Sequence, residues 1–443
     1  MYDKYKKTRI EWFNSIPSHW SVIPLKRMLM GLQDGTHGTY QNADSEHFLL
    51  SAKNIMEDGI HIGIGDRTIS EEDYKEITAN GFPQKGDILL CCVGTIGRCC
   101  IFEEEEPIAF QRSVSFLRTN DRNHNKFILY LLNSQAAKIQ YDLYAKTSAQ
   151  SGLYMGDLCK LIFPCPPKAE QIAIAVYLDK KCEDINKSID VEKKKIELLN
   201  ELKQTIITKA VTKGLNHDIP MKDSGVAWIG KVPEHWEMRK FKNICISEKY
   251  AIKTGPFGTQ LKGQELQPDG DIREYKQRNV IDDQFSQTQF YVSYNKAKEL
   301  EAFYTKPLDL LVTSRGTIGR CSILPKDQPM GILHPCLIAL RINTQICDIN
   351  WAKIFINDSS CFATNIFLNS NATTIEVIYT DTLKNIVIPI PPVTEQEIIV
   401  AHIKEEISKI DAQISKANRR IELLNELKQS IITEAVTGKV KVC

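Results

Sequence analysis

The chain lacks most of what would place it in a specialised class. None of its hydrophobic runs approaches the ~20 residues that a membrane-spanning helix needs. No apolar run follows Asp3, Lys4, Lys6, Lys7 and Arg9 as a signal peptide would require. Charge of one sign is lacking too: 56 basic side chains stand against 55 acidic ones, so any basic footprint for nucleic acid must be local. The 13 cysteines are odd in number, include the adjacent pairs Cys91-Cys92 and Cys99-Cys100, and contain no C-x-x-C spacing. This suits reduced thiols in a cytoplasmic protein better than a disulfide framework or a zinc site. The 9 histidines show no metal-ligand spacing. At 443 residues the chain exceeds one typical core, so two or more domains are expected.

Proline and glycine are absent from 169–213 and again from 395–437, and both stretches contain the same text. Ile196-Glu197-Leu198-Leu199-Asn200-Glu201-Leu202-Lys203-Gln204 returns as Ile421-Glu422-Leu423-Leu424-Asn425-Glu426-Leu427-Lys428-Gln429, a shift of 225 residues. Extended through Val211 and Val436, the match covers 16 positions with two differences. A repeat of this length makes the chain a duplicated unit. Apolar residues recur every 3.5 positions: Ile185, Ile189, Ile196, Leu199 and Ile206 in the first copy, and Ile410, Ile414, Ile421, Leu424 and Ile431 in the second. Glu192, Lys203 and Lys428 interrupt them. Such a repeat with charged flanks predicts a coiled coil, and since a lone seam would expose its apolar stripe, the two copies are expected to pair antiparallel. Thr394 with Glu397 predicts a capping box at the second helix.

Each half opens alike, with Trp12 and Trp20 enclosing Ile16-Pro17-Ser18-His19, and Trp228 and Trp236 enclosing Val232-Pro233-Glu234-His235. These aromatics suit packing anchors where each domain begins, with base stacking as the other reading. The regions that follow share little identity beyond one landmark. Asp87 to Val93, Gly94-Thr95-Ile96-Gly97 and Arg98 to Ile101 match Asp309 to Arg315, Gly316-Thr317-Ile318-Gly319 and Arg320 to Ile323. Apolar runs around a glycine-bounded turn predict a β-hairpin; without the Lys-Ser/Thr of a P-loop, the turn is not expected to bind nucleotide. Arg98 and Arg320 at matched places suit phosphate contacts or structural salt bridges equally. Both regions end in an apolar strand and a Pro-Pro pair, at Pro166-Pro167 and Pro391-Pro392. Lys213 to Pro220 reads as an exposed linker between the halves.

Four features together are distinctive: the Trp-x-Gly-x-Val-Pro-x-His-Trp opening at Trp228 to Trp236, the Gly-Thr-Ile-Gly hairpins, Pro-Pro-x-x-Glu-Gln at Pro166 to Gln171 and Pro391 to Gln396, and the Leu-x-x-Leu-Lys-Gln helices. In these the chain resembles the specificity subunit of a type I restriction-modification system along essentially its full length. The resemblance implies an α+β architecture of two α/β target-recognition domains alternating with two long helices that pair as an antiparallel coiled coil with pseudo-two-fold symmetry. The expected division is 1–165, first recognition domain; 166–214, first helix; 215–227, linker; 228–392, second recognition domain; 393–443, second helix. It implies a non-catalytic subunit reading a bipartite, asymmetric sequence in double-stranded DNA. Two modification subunits would carry S-adenosylmethionine and methylate adenine N6, and restriction subunits would bring ATP, Mg and the nuclease; no cofactor is expected in this chain. A scaffold whose heads bind protein is the competing reading, as is an orphan specificity subunit.

Residue types that read base edges or position on phosphate mark the candidate DNA contacts. In the first half these are Thr36, His37 and Thr39 of a glycine-rich loop, Lys53, Asn54, Arg98, Gln111, Arg112, Ser148 and Gln150. In the second half they are Phe257, Thr259, Gln260, Lys262, Lys276, Arg278, Asn279 and Arg320. Lys53-Asn54 and Arg278-Asn279 fall at equivalent places, which favours a shared role. Asp269 or Asp271 with Glu274 and Lys276 resembles a nuclease's acidic pair and lysine only faintly, and a solvated turn explains them better. Glu197, Glu201 and Lys203, with Glu422, Glu426 and Lys428, are candidate partner contacts, a solvated helix face being the alternative.

Overall fold

The structure, a computed structural model, describes residues 2–145, 152–216, 218–258, 260–286, 290–369 and 377–442. The chain divides into two compact units, Met1–Lys193 with Asn418–Cys443, and Lys194–Ala417. Each unit holds one head, half of one long helix and the opposite half of the other.

The two heads share one sheet plan. In the first, strands run in the order Leu29–Asp34, Val114–Thr119, Ile88–Cys91, Cys99–Ile101, all antiparallel. In the second the order is Ile252–Thr254, Leu337–Leu340, Leu310–Thr313, Cys321–Ile323. The glycine-bounded hairpin joins the last two strands in both heads, as expected. Gly94 and Gly97 have φ of 80° and 88°, and Gly316 and Gly319 have 70° and 74°, a backbone that L side chains rarely adopt. A short parallel pair flanks each sheet: Leu49–Leu50 beside Ala109–Phe110, and Ile272–Tyr275 beside Gly331–Leu333. At the start of the hairpin, buried Asp87 receives a fork from Arg118 (2.9 and 2.7 Å), and buried Asp309 one from Arg341 (2.8 and 3.0 Å).

The repeated joint motifs are structural latches. Trp20 and Trp236 are fully buried, and their indole N–H groups donate to Glu170 (3.0 Å) and Glu395 (3.1 Å). Gln171 accepts from the His124 backbone N–H (2.9 Å) and donates to the Pro166 carbonyl (3.0 Å), while Gln396 does the same with Asp348 (2.7 Å) and Pro391 (2.8 Å). The Glu-Gln pair therefore ties the opening of each head and an internal helix to the Pro-Pro turn. This assigns Trp20 and Trp236 to packing.

The long helices run Lys168–Lys213 and Val393–Val436. Thr394 lies inside the first turn and not ahead of it, which corrects the expected capping box: Pro391-Pro392 releases the chain directly into the helix. Within the first unit, Leu178 and Cys182 share a core with Ile432, Ala435 and Val436, and Glu192 meets Arg420 at 2.7 Å. Within the second, Ile207, Ala210 and Val211 share a core with Ile399, Val400 and Ile403, and Lys203 meets Asp411 at 2.9 Å. In each unit the helix halves thus run antiparallel. Ile185, Ile189, Leu199 and Ile410 are buried; Ile196, Ile206, Ile414, Ile421, Leu424 and Ile431 are half-buried. Near the heads, Ile207 and Ile432 take the buried places beside Ile206 and Ile431, because there the helix also faces a globular core.

The interruptions of the heptad are polar contacts. Besides Glu192–Arg420 and Lys203–Asp411, Lys428 pairs with Glu57 at 3.1 Å. Gln429 donates to the Asn133 carbonyl (2.8 Å) and Thr433 accepts from the Gln135 backbone N–H (3.0 Å); Gln204 and Thr208 make the matching bonds to Asp358 and Ser360. Lys203 and Lys428, expected as candidate partner contacts, are therefore engaged within the chain.

Candidate nucleic-acid interface

In each head one edge gathers the hairpin turn, the end of the first sheet strand and the turn after the short parallel strand. Close approach builds it. A Cβ on Gly35 would lie 2.4 Å from the Phe110 and Gln111 carbonyl oxygens, and one on Gly255 would lie 2.3 Å from that of His334. These glycines thus serve the protein's own backbone crossing.

In the first head this crossing brings Thr36 beside Gln111, both half-buried, with Thr36 Oγ1 2.9 Å from the Tyr40 hydroxyl. His37, Thr39 and Arg112 are exposed around them. Burial raises the pKa of Asp34 above the ordinary carboxylate value; the Ser115 hydroxyl donates to it, and His37 stands 3.9 Å away. Exposed Lys53 pairs with Asp66 at 2.6 Å. Asn54 is buried and turned inward: it accepts from the Ser51 backbone N–H (3.1 Å) and donates to the His61 carbonyl (3.0 Å). Arg98 is half-buried and, among the described residues, makes no salt bridge. Its guanidinium donates to the Ala52 carbonyl at 2.6 Å, clamping that turn beneath the hairpin. Ser148 and Gln150 lie outside the described residues.

In the second head Phe257, Gln260, Lys262, Arg278 and Arg320 are exposed, while Thr259 lies outside the described residues. Gln260 accepts from the Phe257 backbone N–H (3.1 Å). Arg278 pairs with Asp282 in the position that Lys53 holds in the first head. Asn279 repeats Asn54: it is buried, accepts from the Lys276 backbone N–H (2.9 Å) and donates to the Gln284 carbonyl (2.9 Å). Lys276 is half-buried, 3.6 Å from buried Glu274 and 3.3 Å from the centre of the Phe290 ring. Asp271 accepts from the Tyr294 backbone N–H (2.8 Å), as a turn residue does. Asn54, Asn279, Arg98 and Lys276 were anticipated as DNA contacts; all four are engaged internally, because a turn needs its own polar groups satisfied before it can present others.

Sequence reasoning passed over Arg315. It is exposed at the hairpin turn, with its guanidinium carbon 5.7 Å from the centre of the Phe257 ring. Gln277 donates to the carbonyls of Arg315 (2.7 Å) and Thr317 (3.1 Å). Its signal was available: Val93 occupies this place in the first copy.

Among the described residues no helix is long and apolar enough to cross a membrane, and no group of His, Cys, Asp or Glu could hold a metal ion. The described cysteines are free of disulfides, and burial pushes the Cys92 and Cys100 thiols up to about 12.

Comparison with known proteins bears on what these edges serve. Residues 48–201 and 233–425 match the type I restriction modification DNA specificity domain. The chain is 26% identical over 440 residues to the MjaVIII type I restriction enzyme specificity subunit of Methanocaldococcus jannaschii, covering 96% of this chain and 94% of that one. It is 23% identical over 351 residues to the EcoBI specificity subunit of Escherichia coli, covering 76% and 70%. A chain solved in a study of complex assembly and conformational transition of the type I R-M system superposes with a TM-score of 0.69 at 14% identity, covering 96% and 99%. The crystal structure of the HsdS subunit from Thermoanaerobacter tengcongensis does so with a TM-score of 0.51 at 15% identity, covering 96% and 98%. The chain belongs to the DNA-specificity subunits of type I restriction-modification systems.

Proposed function

We propose that each head reads one part of a bipartite sequence in double-stranded DNA, and that the chain thereby directs adenine-N6 methylation and restriction by partner subunits in the cytoplasm while catalysing neither step. One observation carries this reading: two heads with the same sheet, latches and buried ion pairs present unlike side chains at the same edge. Equal frames serve a shared task, and unlike edges serve two different half-sites. Lys53 and Arg278, cations on matched turns, position each head on phosphate, whereas Thr36, His37, Gln111 and Arg112 in one head and Phe257 and Gln260 in the other face base edges.

Two modification subunits, bearing S-adenosylmethionine, dock on the repeated helix text, and restriction subunits supply ATP, Mg and cleavage. Leu198 and Leu202 are 53% and 47% exposed, and Leu423 and Leu427 are 46% and 48% exposed. Leucines four apart on a helix form one apolar ridge, here flanked by Glu197 and Glu201 or by Glu422 and Glu426. Two equal ridges suit two copies of one partner.

The test is to map N6-methyladenine in DNA from cells making the cognate modification subunit, with and without this chain. A split motif with two unlike halves and a fixed gap, present only with the chain, is expected; unchanged methylation would sink the reading. Replacing Leu198 and Leu202 by Glu should halve the number of modification subunits bound, as counted by analytical ultracentrifugation.

A further inference from the structure

Arg315 differs from two cations of the neighbouring turn. Lys276 faces Glu274, and Arg278 faces Asp282. Arg320 lies at the opposite end of the hairpin turn, near enough to Asp358 to lower that carboxyl's pKa against the larger upward effect of burial. Among the described residues, no carboxylate forms an ion pair with Arg315. Its side chain is exposed at the hairpin turn and can meet a ligand there.

Its backbone is held on several sides. Arg315 bridges to Val377, the neighbouring Ser314 exchanges bonds with Cys336 (2.8 Å) and Ile378 (2.9 Å), and Gln277 grips the carbonyls of Arg315 and Thr317. Phe257 lies beside the guanidinium, an arrangement that narrows its rotamers and favours the cation over the ring face. A fixed base and a flanking ring leave less entropy to lose when the fork meets a planar acceptor pair. A side chain that only touched phosphate would need no such restraint.

The first head supplies the control. Val93 fills the equivalent place and makes the equivalent bridge, to Gly152. The frame is thus shared, while an apolar residue stands where the second head has a restrained arginine with no ion pair among the described residues. A residue that differs in this way, half-buried and apolar in one frame and exposed and charged in the other, serves what differs between the two targets.

We propose that Arg315 reads a guanine in the half-site bound by the second head, its guanidinium donating to O6 and N7 of the base in the major groove. This rests on the DNA-reading function proposed above and adds a base identity to it. An arginine fork matches the paired acceptors of guanine and of no other base.

The experiment uses the chain in complex with its cognate modification subunit, first to map the methylated motif and then to measure binding to that motif. For wild type, the half-site read by the second head contains a G·C pair. Arg315→Gln and Arg315→Ala should relax that one position, lowering discrimination on the order of 10- to 100-fold, and leave the other half-site and the gap unchanged. Replacing that guanine by 7-deazaguanine removes the N7 acceptor; it should weaken wild-type binding and leave Arg315→Ala binding unaffected. Arg315→Lys keeps the charge and loses the fork, so it too should relax the position. A uniform loss of affinity across sequences, rescued by Lys, would make Arg315 a phosphate contact and overturn the proposal. So would equal sensitivity of wild type and Arg315→Ala to 7-deazaguanine, or a motif without guanine. Absence of any chain-dependent motif would instead sink the DNA-reading function itself.

Discussion

Beneath the hairpin, the two heads solve one problem from opposite sides. In the first, Arg98 reaches from the hairpin down to the Ala52 carbonyl. In the second, Gln277, at the place of Ala52, reaches up to the carbonyls of Arg315 and Thr317. The contact is retained although its donor has moved from one strand connection to the other, and the exchange leaves Arg320 exposed where Arg98 is half-buried. Matched residues therefore need not share a role, and a conserved frame can be maintained by residues that no alignment would pair. What stays constant is a side-chain donor on a backbone carbonyl between the turn and the hairpin; what varies is which side chain remains outside.

The largest test of this equivalence concerns the buried ion pairs. Arg118→Met leaves the Asp87 carboxylate buried without its fork, and Arg341→Met does the same to Asp309. Each should lower stability by about 3–5 kcal/mol, measured as the shift of the urea unfolding midpoint. A large loss in one head and none in the other would break the equivalence.

The turn glycines separate the heads. At Gly97 a Cβ would meet the Tyr141 ring at 2.5 Å, whereas at Gly319 the nearest atom is in Phe362 at 3.4 Å. Both substitutions to Ala cost roughly 1–2 kcal/mol for left-handed backbone, and Gly97→Ala adds about 1–3 kcal/mol of overpacking. Equal melting temperatures for the two variants would refute the asymmetry.

The latches should behave alike again. Glu170→Ala strands the Trp20 indole N–H, and Glu395→Ala that of Trp236, each costing about 1–3 kcal/mol; Gln at either site keeps an acceptor and should restore much of the loss in the same unfolding assay.

The smallest effect distinguishes strand interiors. Lys253 fills in the second head the place of Gln33 in the first, and burial lowers it from the ordinary 10.5 to about 8. The unfolded chain keeps this proton up to the ordinary value, so stability attributable to Lys253 rises between pH 8 and 10.5 and is lost as pH falls through 8. Lys253→Gln should raise the melting temperature at pH 7, by an effect within about 1 kcal/mol, and the advantage should shrink by pH 10. A pH-independent difference would contradict the assignment.

Much of the frame was legible because it is periodic or repeated. The heptads, the hairpin glycines and the Pro-Pro-x-x-Glu-Gln joints are local patterns with local causes. The interface was legible only in outline. Asn54 and Asn279 have the chemistry of base readers, yet each closes a turn, and composition cannot tell an amide that caps from one that reads. Arg315 was hidden among ordinary hairpin residues because its significance depends on Phe257 and Gln277, 58 and 38 residues away in sequence.

The sequence by itself determined the duplication, the two long helices, the hairpins and the family, since these follow from spacing, backbone preference and the recurrence of the same text. Only the tertiary structure decided which polar side chains are consumed inside. Lys203, Lys428 and Arg98 are all charged and all read as contacts in the text, but the partners that engage them, Asp411, Glu57 and Ala52, lie far along the chain. Whether a charge is available depends on those distant neighbours, and folding alone brings them within reach.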